Sequence, residues 1–160
     1  MSTEQDQYRD GDHATRYKQR SVSGDRDTPE ITRDYDTLME QGYVILENLI
    51  DETQCEAIKS EGMPLLNHQG RNPFEGQKTQ RVYDVFSKTR ATDGLATHSR
   101  ILGLLDKIFR PNYLLSQSQM INILPGEAAQ MLHHDDAFYR IARPRPPMGA
   151  ATVWAIDDFT

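Results

Sequence analysis

The six residues Ala151-Thr152-Val153-Trp154-Ala155-Ile156 constrain the fold more than any other stretch of the chain. They are apolar, β-branched or aromatic and carry no charge, which is the make-up of a strand buried inside a sheet. Such a strand is paired on both sides, yet only four residues follow it. The expectation is a sheet-based domain of which this chain is the N-terminal part.

The upstream pattern supplies other pieces of such a domain. Tyr43 to Leu46 reads as a short buried strand and Arg81 to Phe86 as an alternating one, with Val82, Asp84 and Phe86 on one face. Leu114 to Leu124 reads as a long strand closed by the turn Pro125-Gly126, and Ala128 to His134 as the next strand. Three helices are expected between them. Asp34 to Gln41 ends at Gly42, which adopts the left-handed stop at low cost. A second helix begins at Asp51, with Gln54 in the capping-box position and Cys55, Ile58 and Met63 on one face, and ends at Gly62. A third, capped by Ser99, presents a stripe from Ile101 to Phe109 and is stopped by Pro111. Residues 62–80 read as a long loop, and Arg143 to Pro147 as an irregular one. The fold class is thus mainly β with flanking helices, an α+β arrangement.

Composition sets the limits of the folding unit. Residues 1–30 hold five apolar side chains and twelve charges, too little apolar surface to offset the cost of ordering. They are expected to be a disordered polar leader, with residues 31–160 as the domain. The net charge of −6 disfavours a nucleic-acid partner, which calls for a basic stripe. No apolar run approaches the roughly 20 residues of a membrane helix, and no secretory signal opens the chain. The single cysteine, Cys55, cannot form an internal disulfide and fits a reducing compartment, so a cytoplasmic location is expected.

The chemistry concentrates in His133-His134-Asp135-Asp136, set between Met131-Leu132 and Ala137-Phe138-Tyr139. Two imidazoles and two carboxylates are costly to bury without compensation, and a divalent metal supplies it. A His-x-Asp pair on one face of a strand can grip one ion, and with a further His it forms the open-sided set of non-haem Fe(II). The spacing occurs twice, as His133 with Asp135 and as His134 with Asp136, and alternation alone does not choose between them.

The segment from Pro125 to Asp136 resembles the metal-binding segment of the phytanoyl-CoA dioxygenase family. The opening Gln41-Gly42-Tyr43-Val44-Ile45-Leu46-Glu47-Asn48 before a helix is similar to the family's start. So is the order Arg81-Val82-Tyr83, apolar helix, long strand, Pro-Gly, His-x-Asp, Trp-containing strand, and the resemblance spans roughly residues 35–160. It implies a double-stranded β-helix, or jelly roll, apparently truncated. It also implies a dioxygenase that uses Fe(II) and 2-oxoglutarate with O2 to hydroxylate an unactivated C–H bond of a small-molecule substrate. By the same resemblance the metal ligands are His133 and Asp135, and Gln119 reaches the 2-oxoglutarate. Arg81 would line the pocket, and Trp154 is either an aromatic beside the cosubstrate or a core side chain.

The family pattern also requires a second His and, beyond it, an Arg that pairs with the distal carboxylate of 2-oxoglutarate. No histidine follows His134, and Arg140, Arg143 and Arg145 stand too close to the first ligands. The chain therefore reads as a catalytically incomplete part of the oxygenase domain, with the loop from Arg140 to Met148 expected to cover the site. The alternatives are a non-catalytic jelly-roll remnant or binding module, a metal-dependent phosphohydrolase using His134-Asp135, and an interaction protein using the leader. The substrate itself is not legible.

Overall fold

The computed structural model describes residues 26–109 and 113–159. Most of the polar leader, and Pro111, lie outside the described residues.

Helix α1 runs from Pro29 to Gln41, five residues earlier than the apolar pattern suggested. The Thr28 side chain accepts a hydrogen bond from Ile31 N at 3.2 Å, and Pro29 occupies the first turn, where its missing N–H costs nothing. Gly42 closes the helix at φ 83°, its N–H donating to Leu38 O, as the sequence required. Helix α2 spans Glu52–Gly62 behind a complete capping box. Asp51 Oδ1 accepts from Gln54 N at 2.8 Å, and Gln54 Oε1 accepts from Asp51 N at 3.1 Å. Of the expected apolar face, Ile58 is buried and Met63 is half exposed, in a 3-10 turn over Met63–Leu65.

Three antiparallel strands follow. β1 (His68–Gln69) and β3 (Gln119–Ile123) flank β2 (Thr79–Tyr83), with Arg81 opposite His68 on one side and Ile121 on the other. The expected strand Arg81–Phe86 begins two residues earlier and breaks at Asp84. That residue takes φ 53° and turns the chain into a 3-10 segment, Val85–Ser87. The helix α3 (Asp93–Ala96) was not foreseen, and α4 covers Ser99–Ile108. Its N-cap is His98, without a side-chain hydrogen bond, so Ser99 is the first helical residue rather than the cap.

Packing occurs in two places. α1 and α4 meet at Gly103, where an added Cβ would lie 2.4 Å from Ile31 Cδ1. The same pair is held by Arg100, whose guanidinium reaches Asp34 at 2.7 and 3.0 Å and Glu30 at 2.8 Å. Under the sheet, Val82 joins Leu66 and Val85, with Leu65 and Met120 against them. Gly62 lets α2 approach Met120, whose sulfur would lie 2.3 Å from a Cβ.

The result is a small α+β structure with an open three-stranded sheet, and the mainly-β expectation is corrected. Three helices hold thirteen, eleven and ten residues, whereas the strands hold two, five and five. Among the described residues, Tyr43–Leu46, Ala128–His134 and Ala151–Ile156 are not strands, and the long strand from Leu114 shortens to β3. Tyr43 is 59% and Ile45 75% exposed. A strand exists only when another segment supplies its hydrogen bonds, and these segments have none here.

Candidate metal and cosubstrate site

His133 and Asp135 come together through turns rather than through strand alternation. Ala137 N donates to His134 O at 3.0 Å and Tyr139 N to Asp136 O at 3.1 Å, which winds the chain after His134. This sets His133 Nε2 3.4 Å from Asp135 Oδ1. The other ring nitrogen, Nδ1, lies 2.8 Å from Met131 O. A carbonyl oxygen can only accept, so this contact assigns the ring proton to Nδ1. Nε2 then faces Asp135 Oδ1, and either a proton on Nε2 or a cation between the two satisfies the pair.

The neighbouring pair is engaged differently. Asp136 binds the guanidinium groups of both Arg143 and Arg145. The hydrogen bond from Arg145 is the main reason its carboxyl sits below the ordinary carboxylate range, against the opposing effect of desolvation. Arg145 also donates to Tyr139 O at 3.0 Å and to Asp136 O at 3.2 Å. Both arginines therefore tie the 140–148 loop to the residue after Asp135.

Arg81 and Gln119 form a second group. Arg81 is buried, and its Nη1 donates to Gln119 Oε1 at 3.0 Å across the β2–β3 pair. Its Nε and Nη2 both donate to Glu75 O, at 3.1 and 2.8 Å. The Glu75 carboxylate faces the other way and accepts from Arg71 Nη2 at 2.6 Å, Arg71 N at 2.9 Å and Arg71 Nε at 3.2 Å, with His68 Nε2 at 3.3 Å. The Arg71 guanidinium holds the Glu75 carboxyl down to about 2.

The two groups flank one short stretch of loop. Glu75 carries Arg81, and the preceding Phe74 meets the His133 ring edge-on, centroids 4.9 Å apart. Between the loop and the His133 segment lies an open cleft, lined by Pro73, Phe74 and Gln77 on one side and Ala128, Ala129 and Met131 on the other. Trp154 packs edge-on against His98, ring centroids 5.9 Å apart. The roles of Phe74 and Glu75 were not legible, because residues 62–80 read only as polar loop. A bulky ring after Pro73 in such a loop was the available signal. Among the described residues, no group of three His, Cys, Asp or Glu is placed to hold a metal.

The family model described as "Phytanoyl-CoA dioxygenase (PhyH)" matches residues 38–160. The chain belongs to the phytanoyl-CoA dioxygenase family. Among this family member's curated relatives is "Dioxygenase cdmA" of Talaromyces verruculosus, 29% identical over 69% of this chain and 42% of the relative. "Dioxygenase olcK" of Penicillium canescens is 28% identical over 66% and 39%, and "Dioxygenase andF" of Emericella variicolor is 24% identical over 69% and 42%. The chain thus spans about two-fifths of the length of the curated relatives it matches. No solved structure matches it at a significant level. Among the described residues of this family member, no helix is long and apolar enough to cross a membrane.

Proposed function

We propose that this chain supplies two iron ligands, His133 and Asp135, to a dioxygenase that uses Fe(II) and 2-oxoglutarate to hydroxylate an unactivated C–H bond of a small molecule. The observation that carries the reading is the His133 Nε2–Asp135 Oδ1 pair, 3.4 Å apart, with Nδ1 committed to Met131 O. Ligands at about 2.1 Å on adjacent positions of one ion stand about 3 Å apart, so the pair fits with a small inward shift. An imidazole whose second nitrogen donates to a backbone carbonyl is the usual form of a metal-bound histidine. The engagement of Asp136 by two arginines favours His133 with Asp135 over His134 with Asp136.

Bound Fe(II) would supply the redox chemistry, O2 being reduced as 2-oxoglutarate is oxidised to succinate and CO2 and one oxygen atom enters the substrate. The chain's own residues position the reactants. Arg81 holds Gln119 Oε1, which turns the amide nitrogen outward as a donor suited to a cosubstrate carboxylate. The open cleft beside Phe74 and Met131 is the place we assign to the small-molecule substrate, whose apolar part those two side chains would contact. Trp154 enters the reading only as the partner of His98. The remaining metal ligand, the arginine for the distal carboxylate and closure of a jelly roll belong, in this reading, to the part of the relatives' length that this chain does not span.

The test is anaerobic titration of the protein with Co(II) as a spectroscopic stand-in for Fe(II). His133→Ala and Asp135→Ala are each expected to weaken binding at least about tenfold. His134→Ala is expected to leave it unchanged. Retention of wild-type affinity by both the first two variants would overturn the assignment. In the protein expressed from its natural coding sequence, succinate release from 2-oxoglutarate with Fe(II) is the matching activity assay.

A further inference from the structure

We propose that Glu127 is a positioning residue, a carboxylate clamp that sets the orientation of His133 by tying the Pro125–His133 segment to the 72–79 loop. The inference rests on the metal-site reading only for its consequence; the clamp itself is a feature of the chain.

Its geometry starts from two turns. Leu124 to Glu127 is a β-turn, with Glu127 N donating to Leu124 O at 3.2 Å and Gly126 at φ 79°, the conformation its third position demands. The turn delivers the Glu127 carboxylate to the start of β2. There Oε2 accepts from Lys78 N and, at 3.1 Å, from Thr79 Oγ1, while Oε1 accepts from Ala128 N at 2.9 Å. Opposite stands Gly76, at φ 88°, where a Cβ would lie 2.3 Å from Thr79 Oγ1 and 2.8 Å from Glu127 Oε2. The approach is therefore one that only glycine permits. Desolvation raises the Glu127 carboxyl, but the hydrogen bonds from Lys78, Ala128 and Thr79 outweigh it, and the group lies below its ordinary range. It is thus ionised at neutral pH, the form that accepts all three.

The clamp is the first of three stitches along one segment. Three residues on, Gln130 Nε2 donates to Phe74 O. Three further on, the His133 ring meets the Phe74 ring. Phe74 is in turn fixed by Asn72, whose Oδ1 accepts from Phe74 N and Glu75 N, both at 2.9 Å. Residues 128–134 have no strand partner among the described residues, so these side-chain stitches stand in for the ladder that would otherwise set the imidazole's direction. Glu127 contributes a carboxylate to this set, and it ties the segment to Thr79, which is 2% exposed. Release of the clamp frees the ring to turn and breaks the Nδ1–Met131 O contact.

The experiment reads the ring directly. In the metal-free 160-residue protein, nitrogen-15 NMR of the histidine side chains is expected to show His133 as a single Nδ1–H tautomer. Glu127→Ala is expected to give a mixture of tautomers and to lower Co(II) affinity about tenfold, the scale of losing an outer support of a metal ligand. Glu127→Gln keeps an oxygen for Lys78 and Thr79 and should recover much of both signals. Thr79→Val removes one donor with little change of shape. It should shift the tautomer in the same direction, and it decides the matter if Glu127→Ala does not fold by circular dichroism. A folded Glu127→Ala, or failing that a folded Thr79→Val, with wild-type tautomer and Co(II) affinity overturns the clamp. Wild-type Co(II) affinity in both His133→Ala and Asp135→Ala would overturn the metal reading instead, while the tautomer measurement, made without metal, still judges the clamp.

Discussion

Glu75 shows how one loop residue can serve two groups at once. Its carbonyl holds the buried Arg81 and its carboxylate is held by Arg71 and His68. With its folded pKa at about 2, against an ordinary 4.5, the carboxylate stabilises the fold fully above pH about 4.5. That contribution falls as the pH drops from about 4.5 toward 2. Thermal melts across this range are expected to show an acid-side loss that Glu75→Gln reduces. An identical acid limb in the variant would show that the pairing is not coupled to folding. Arg81→Lys tests the other side. A lysine cannot serve Glu75 O and Gln119 together as the planar guanidinium does, and a loss of about 1–3 kcal/mol by urea unfolding is expected. At this scale the sequence was legible where chemistry is unusual. The doubled His-x-Asp spacing marked the segment but not the pair; the family resemblance pointed to His133 and Asp135, which lie 3.4 Å apart, and Arg81 and Gln119, named separately, are bonded to each other. Glu75 was not legible, since a glutamate in a polar loop looks like any solvated one.

Elements divide by whether their signals are local. The capping box at Asp51 and the stop at Gly42 are written in adjacent residues, and both stand as read. Thr28-Pro29 carries an equally local start signal for α1, but it lies inside the polar stretch 1–30, whose composition masks it. Strands depend on distant partners, which explains why β2 and β3 survive in shortened form and Tyr43–Leu46 does not. Asp51→Ala should cost about 1 kcal/mol, from loss of the bond to Gln54 N. Two glycines give opposite expectations. Gly94, in α3, has open space where a Cβ would stand, so Gly94→Ala should raise the melting temperature by relieving about 0.5–1 kcal/mol of glycine cost. At Gly103 the Cβ would press on Ile31, which is 4% exposed, and lie 3.1 Å from Arg26 O. Overpacking of about 1–3 kcal/mol exceeds the propensity gain there, so Gly103→Ala should lower it. The same sign for both variants would show that α1–α4 packing is looser than the contact implies.

For the molecule as a whole, the balance of covered and uncovered surface decides behaviour in solution. Among the described residues, few apolar side chains are buried (Ile31, Ile58, Leu66, Val82, Val85 and Leu104), and those beneath the sheet form a small cluster. Against this, Leu114, Leu132 and Val153 are 89%, 105% and 82% exposed, and Ile121 and Ile123 face outward from β3. β3 also ends the sheet, so its outer backbone groups have no ladder partner among the described residues. An open strand edge beside exposed apolar side chains favours association between copies. The net charge of −6 opposes it through repulsion, an effect that salt screens within about 10 Å at 0.1 M. The 160-residue protein is therefore expected to bind an apolar dye and to sediment as associated species, increasingly so as salt is raised. Ile123→Lys, which places a charge on the edge strand, should shift sedimentation toward the monomer. A sharply melting monomer with no dye binding at any salt would mean that these apolar side chains find cover within a single chain.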